Sequence, residues 1–144
     1  MTSILSAAAG STTFGLAWLG ATTALALHVA DEATHDFLGW YNPRVLRIRQ
    51  ALGGLPFPPT FTFWPWLLGL VSAVVLLGAL TPSAFAGRLW MQPLAYVLAA
   101  IHIANGLGHI GGSLVARRRA PGVSSAPLLL LAGAWLGYAA ARLA

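Results

Sequence analysis

Long apolar runs alternate with short polar connections along the chain. A helix of roughly 20 apolar residues crosses a hydrocarbon core about 30 Å thick. Four runs fit such spans, at about 12–36, 62–80, 90–115 and 126–142. The pattern predicts an all-α integral membrane protein, a four-helix bundle forming a single transmembrane domain over residues 1–144.

Composition supports a membrane protein. The 144 residues are 58% hydrophobic and 8% charged, with a mean hydropathy of +0.75, which lies outside the range of soluble domains. No basic residue precedes the first run, so we expect it to be retained rather than cleaved as a signal peptide. The chain has no cysteine, which excludes disulfides and thiolate metal ligands.

The basic residues predict the orientation in the membrane. The formal net charge is +5, and six of the eight arginines lie in two connections, at residues 44–49 and 117–119. By the positive-inside rule, these connections face the cytoplasm and both termini lie outside. Arginines beside spans contact lipid headgroups, so we expect the lipid bilayer and no nucleic acid as a partner.

The first arginine-rich connection carries helix signals of its own. Asn42-Pro43 predicts a helix start and Gly53-Gly54 a stop, and the arginines lie opposite an apolar face. This pattern predicts a short helix in the membrane interface. Aromatic residues at the ends of the spans, among them Trp40 and Trp66, are interpreted as an interfacial belt.

Charge is concentrated at the end of the first span. The stretch HVADEATHD, residues 28–36, holds all three acidic residues and two of the four histidines. An ionisable group at bilayer depth costs on the order of 2.5–3.5 kcal/mol, so such groups normally face a bundle interior and pair there. Three of the eight positions in HVADEATH recur in HIANGLGH, residues 102–109, and two more are similar, Val29 to Ile103 and Asp31 to Asn105.

This match predicts an internal repeat. It pairs His28 with His102 and His35 with His109, and it indicates two hairpins related by a parallel pseudo-two-fold axis along the membrane normal. The first and third spans then run in the same direction. We expect their polar motifs to lie at equal depth and to face each other.

Imidazoles and carboxylates on facing helices favour a metal site. These ligands bind zinc, iron and related divalent ions, and Glu32-x-x-His35 has the spacing found in di-iron bundles. We expect one or two divalent ions, iron or zinc, between the first and third spans. The predicted ligands are His28, Asp31, Glu32, His35, His102, Asn105 and His109, with Glu32 and Asp31 also as catalytic groups. Asp36 is expected to support the ligands, with a solvated helix-terminal role as its alternative.

The stretches HVADEATHDFLGWYNP and RRRAPGVSSAPLL, with the histidine and asparagine span between them, resemble the HXXEE family of bacterial membrane proteins. The resemblance covers most of the chain in order and implies a multi-pass protein of the bacterial inner membrane. It departs at Asp31, where the family motif has a glutamate. The family name implies no activity. The matching residues are His28, Asp31, Glu32, Asn105, His109, Pro121 and Gly122.

The leading hypothesis is a membrane metalloenzyme acting on a lipid or another hydrophobic substrate. Nitrogen and oxygen donors with the ExxH element favour an iron oxygenase or desaturase over a zinc hydrolase. One alternative is a metal-free proton or cation relay or transport protein, in that case as a homodimer. A second is bis-histidine haem binding, by His28 with His102 or His35 with His109. A third is an accessory subunit of a membrane complex.

Overall fold

The computed structural model describes the backbone of residues 2–143 and the side chains of residues 9–143. Within this part of the chain every regular element is a helix, which confirms the all-α prediction. The helices are α1 (Thr2–Thr34), α2 (Phe37–Ala51), α3 (Phe63–Ala79), α4 (Thr81–Phe85), α5 (Met91–Ala116) and α6 (Ala126–Ala141).

Three helical segments are long and apolar enough to cross a membrane. They are Ala9–Thr34, Phe63–Phe85 and Met91–Ala116. The helix at the fourth predicted span, α6, is also apolar but has only 16 residues, a length of about 24 Å. It is therefore shorter than a helix that crosses a full hydrocarbon core.

Helix α6 organises the packing. It lies along both α1 and α5, which meet each other directly over a much shorter stretch. Small residues permit this close approach. A Cβ added at Gly106 would lie 2.9 Å from the Ala126 carbonyl oxygen, and one at Gly133 would lie 3.0 Å from the Ala99 carbonyl oxygen. The connection before α6 lies against the C-terminal end of α1.

Helix α3 lies at the periphery. The Trp18 indole of α1 donates a hydrogen bond to the Leu77 carbonyl, at 2.9 Å, and ties the two helices together. Most of α3 nevertheless points outward, with Leu68, Val75 and Leu76 each at least 60% exposed. Such an apolar outer face is what a helix presents to lipid.

Helix α2 begins earlier than predicted. It starts at Phe37 rather than at Asn42-Pro43, and Pro43 lies inside the helix. The reason is the cap at Asp36, whose carboxylate accepts a hydrogen bond from the Gly39 amide at 3.2 Å. The predicted stop is confirmed, since α2 ends at Ala51 and the following Gly53 and Gly54 have positive φ.

Candidate metal centre

Three buried side chains converge where α1 meets α5. His28 and Glu32 lie one turn apart on α1, and His109 comes from α5. The His28 and His109 Nε2 atoms are 3.2 Å apart. Glu32 Oε1 lies 3.0 Å from His109 Nε2 and 3.5 Å from His28 Nε2. All three residues are at most 4% exposed.

This arrangement could hold a metal ion. Ligand bonds of about 2.0–2.2 Å place neighbouring ligand atoms about 3.0–3.5 Å apart in octahedral or tetrahedral coordination. The three measured separations fall in that range. Two histidines and one carboxylate form the donor set of catalytic zinc sites and of non-haem iron sites, in which the remaining positions stay open.

A hydrogen-bonded chain orients His28. Its Nδ1 lies 2.8 Å from Ser125 Oγ, and that hydroxyl donates to Asp31 Oδ2 at 2.7 Å. Because the hydroxyl proton points to the carboxylate, Ser125 Oγ accepts from His28 Nδ1–H. The His28 Nε2 lone pair is thereby left facing Glu32 and His109. Such outer hydrogen bonds fix the tautomer of metal-binding histidines.

Asp31 is therefore not in the predicted ligand position, because Ser125 lies between its carboxylate and His28. Its Oδ2 also accepts from the Ser125 amide at 3.0 Å, and its Oδ1 lies 3.0 Å from His35 Nδ1. The His35 side chain is 63% exposed. The structure thus places His35 outside the cluster, because the turn after Thr34 ends α1 before another helical turn can bring it inward.

His109 is enclosed by aromatic rings and by a glycine. Phe37 and Trp40 of α2 pack on its imidazole, with ring centroids 5.7 and 6.5 Å away. Gly122 has φ +81°, and a Cβ added there would lie 2.7 Å from His109 Cε1. Trp66 in turn stacks on Phe37. Trp40 thus encloses the cluster directly and Trp66 does so through Phe37, while their place in an interfacial belt stays a prediction.

One buried atom of the cluster is unpartnered. His109 Nδ1 has no hydrogen-bond partner within the described part of the chain. In the protein alone, an Nε2–H tautomer of His109 donates to Glu32 and leaves Nδ1 as a bare acceptor, which costs less than an orphaned donor. The enclosure by Gly122 keeps water from reaching this atom.

An open groove of about 710 Å³ leads to Glu32. It lies between the end of α1, the first turns of α2 and the start of α3. The Asn42 side chain forms part of its wall. It donates a hydrogen bond to the Phe61 carbonyl at 2.9 Å and accepts one from the Phe61 amide at 3.1 Å. Aromatic side chains line much of the groove, namely Phe37, Phe61, Phe63 and Trp66.

The remaining predicted site residues lie elsewhere. His102 is buried, and its Nε2 donates to the Ala21 carbonyl of α1 at 3.0 Å. Asn105 is half-buried on α5, one turn before His109, and has no side-chain hydrogen bond to the described residues. Asp36 is exposed and caps α2, which is the alternative role expected from the sequence.

These positions correct the predicted register of the repeat. His28 lies level with His109 and Ala21 with His102, each pair being 81 positions apart in the chain. The alignment instead paired His28 with His102. The two motifs are therefore displaced by seven residues, about 10 Å along the helix axis. The prediction that the two motifs lie at equal depth is therefore wrong. The reason is that the position of α5 along its axis is set by the close contacts of its small residues with α6.

Ser125 and Gly122 are site residues that the sequence reasoning missed. From the sequence, Gly122 is named only among the residues of the family resemblance, and Ser125 has no predicted role. One signal could have found them, because the connection after the third span must lie at the same membrane face as the end of the first span. A hydroxyl donor and a glycine at that face are then candidates to contact the polar cluster.

Comparison of the chain with family models, with curated proteins and with solved structures finds no match. The geometry of the described histidines bears on the alternative of haem binding. The haem pairs fit that geometry poorly, since both ring nitrogens of His28 are engaged by Ser125 and His109. His102 Nε2 is likewise engaged by Ala21, and His35 lies at the surface.

Proposed function

We propose that this chain is a membrane metalloenzyme that holds one divalent ion between His28, Glu32 and His109 and acts on a lipid or another hydrophobic substrate. The observation that carries the proposal is the convergence of these three donors, within 3.0–3.5 Å of one another, in a buried position. Burial of a carboxylate in an apolar bundle is costly, and a bound cation offsets that cost.

One ion fits the donors better than two. Di-iron bundles use a carboxylate from each of four helices together with ExxH histidines. Here a single carboxylate lies in the cluster, Asp31 is bonded to Ser125, and His35 points outward. The ExxH argument for iron therefore weakens, and the site serves equally an iron oxygenase or desaturase and a zinc hydrolase.

The side chains around the cluster have separate roles in this proposal. Asp31 and Ser125 hold the His28 ring in the tautomer that directs its Nε2 lone pair inward. Phe37, Trp40 and Gly122 exclude water from His109. The bound ion would supply Lewis-acid or redox chemistry at its open positions.

The substrate class follows from the groove. Its aromatic lining and its position at the ends of three helices suit an apolar chain that enters from the bilayer. Two charged groups line the groove, the exposed Asp36 and the buried Glu32, and Glu32 lies beside the proposed ion. An acyl chain or an isoprenoid has the required chemistry.

A metal-free relay is the second candidate function. Asp31, Ser125, His28, His109 and Glu32 form a continuous series of hydrogen-bonding contacts of 2.7–3.2 Å. Such a series of ionisable groups inside a membrane protein is typical of proton pathways. In that function the same residues would exchange protons, and no ion would be required.

In the membrane, we propose that α6 completes the four-span arrangement and that the arginine-rich connections face the cytoplasm of a bacterial cell, with the chain in the inner membrane and in the HXXEE family. The distribution of the arginines supports this orientation. The packing of α6 along α1 and α5 supports its placement in the bilayer.

The experiment combines metal analysis with an activity measurement. Protein purified in mild detergent is analysed for metals and by absorption spectroscopy, which distinguishes iron, zinc and haem. Chelated and metal-reloaded samples are then incubated with total membrane lipid, and oxygen uptake and lipid products are followed. Metal-dependent turnover supports the enzyme. Proton flux in liposomes that persists after chelation, without lipid turnover, would instead establish the relay.

A further inference from the structure

The arginines fall into two groups by their contacts within the described residues. One group is engaged by the protein: these side chains donate to backbone carbonyls or lie over aromatic rings. They are Arg44, Arg47, Arg49 and Arg142. In the other group the exposed side chains make no hydrogen bond, ion pair or ring contact with residues 9–143; they are those of Arg117, Arg118, Arg119 and Arg88.

The described carboxylates form no ion pair with the 117–119 cluster. Glu32 lies between two histidines, Asp31 is bonded to Ser125 and His35, and Asp36 caps α2. Every ion pair among the described side chains involves a histidine. Three adjacent positive charges at the end of α5 therefore form no ion pair within this part of the chain, although Asp36 lines a cleft together with Arg118 and Arg119.

The charges of neighbouring segments increase the local positive potential. Arg44 of α2 has a pKa lowered by burial and, in addition, by the positive charges of Arg118 and Arg47. The cluster and α2 thus present cations to each other. An external anion at this place would relieve the repulsion.

An apolar groove of about 800 Å³ adjoins the cluster. Its floor includes Ile110, Leu114 and Val123, and Arg117–Arg119 form its rim. Residues 110, 114 and 117 lie on one face of α5 by their helical spacing. Leu114 is 72% exposed, so this face is open to an apolar ligand. The groove therefore combines a basic rim with an apolar floor.

We propose that this groove binds an anionic phospholipid, with its phosphate held by Arg117, Arg118 and Arg119 and an acyl chain lying along Ile110 and Leu114. Guanidinium groups bind phosphate oxygens through paired, charge-assisted hydrogen bonds. The cluster follows directly on a helix long and apolar enough to span a membrane. This is the level at which lipid headgroups lie. The site is separate from the His28–Glu32–His109 cluster and does not depend on the metal proposal.

The structural alternative is that these arginines only complement the negative end of the α5 dipole. A positive charge near the last turn stabilises a helix through its dipole. Side-chain hydrogen bonds to the final carbonyls add to that stabilisation. The structure gives none of the three side chains such a bond, while the amides of Arg117 and Arg118 already close the end of α5. Phosphate binding accounts both for the unused donors and for the adjoining apolar floor.

Lipid binding to the purified full chain tests the proposal. Native mass spectrometry in detergent measures retention of phosphatidylglycerol and of phosphatidylcholine at equal concentration. We expect one phosphatidylglycerol to be retained preferentially. The triple variant R117Q/R118Q/R119Q should weaken this binding by about tenfold or more, whereas R88Q, an unpaired arginine on another connection, should change it less than about twofold. Leu114→Trp, which fills the groove floor, should also weaken it.

Several results would overturn the proposal. Equal retention of the two lipids by the wild-type chain would overturn it. This comparison needs no variant, so it remains decisive even when a variant fails to fold. Undiminished phosphatidylglycerol binding by the folded triple variant would also do so. Inorganic phosphate that displaces the lipid at equal concentration would assign the site to a free anion. If R88Q weakened phosphatidylglycerol binding as much as the triple variant does, the effect would come from net charge and not from this groove.

Discussion

The imidazoles of His28 and His109 face each other with their Nε2 atoms 3.2 Å apart, although 81 positions separate the two residues. Glu32 Oε1 lies within 3.5 Å of both nitrogens. Two neutral imidazoles cannot both offer lone pairs at this distance without repulsion, so either a proton or a cation lies between them. An Nε2–H tautomer of His109 satisfies this geometry in the protein alone, and the proposed metal would satisfy it in place of that proton.

Ser125→Ala should weaken metal binding while leaving the chain folded. The substitution removes the hydroxyl between Asp31 and His28, so the His28 tautomer is no longer fixed. Loss of such an outer hydrogen bond typically costs about 10–100-fold in metal affinity. Competition with a chelator measures the change. Ser124→Ala is the matched control, because Ser124 is the exposed neighbour and contacts neither residue; equal affinities of the two variants would contradict the assigned role.

Gly122→Ala should disturb the site far more than Gly53→Ala. Both glycines have similar φ, +81° and +76°, so both substitutions carry the left-handed backbone penalty of about 1–2 kcal/mol. Only the Gly122 Cβ meets the histidines, whereas the Gly53 Cβ has nothing within 4 Å. Thermal unfolding in detergent and metal content should both fall further for Gly122→Ala. Indistinguishable variants would show that the 117–125 connection does not pack on the cluster.

The contact between α5 and α6 predicts opposite effects at two glycines of α5. Gly106→Ala places a methyl group 2.9 Å from the Ala126 carbonyl oxygen, and overpacking of this kind costs about 1–3 kcal/mol. Gly108→Ala meets nothing within 4 Å, so the helix gains up to about 1 kcal/mol of propensity. The midpoints of thermal unfolding should therefore shift downward and upward, respectively. The reverse order would contradict the packing of α6 on α5.

His102→Ala should destabilise the fold without removing the metal. The His102 ring is 1% exposed and donates to the Ala21 carbonyl, and loss of a buried hydrogen bond with its packing costs about 1–3 kcal/mol. The unfolding midpoint should fall, while metal per folded chain should equal that of the wild type. Loss of metal from folded His102→Ala protein would restore the ligand role that the sequence predicted for this residue.

The sequence was informative about helices and about residue types, and less so about register. Periods of apolar residues predict the helices, and the charge pattern predicts that His28 and Glu32 lie in the interior. Which residue of α5 lies beside His28 depends on the displacement of α1 and α5 along each other's axes. Glycines on α5 and α6 set that displacement through contacts that only the three-dimensional packing reveals. The motif alignment therefore chose His102 where the structure has His109 beside His28.

The groups around the cluster were hidden for another reason. Ser125 and Gly122 act through a connection whose sequence resembles an ordinary turn, and Trp40 resembles any aromatic residue at a membrane surface. Their importance comes from where the connection folds back, over His28 and His109. Asp36 was ambiguous because a carboxylate after a helix suits either a cap or a site. The left-handed backbone at Asp36 and its bond to Gly39 resolve it as a cap.

The most direct measurement is the metal content of wild-type, His109→Ala and His35→Ala protein, each purified in the same detergent and checked for folding. The account predicts about one divalent ion per wild-type chain, little or none in His109→Ala, and the wild-type amount in His35→Ala, since His35 lies outside the cluster. Wild-type protein without stoichiometric metal after reloading, or His109→Ala protein that keeps its ion, would contradict the account.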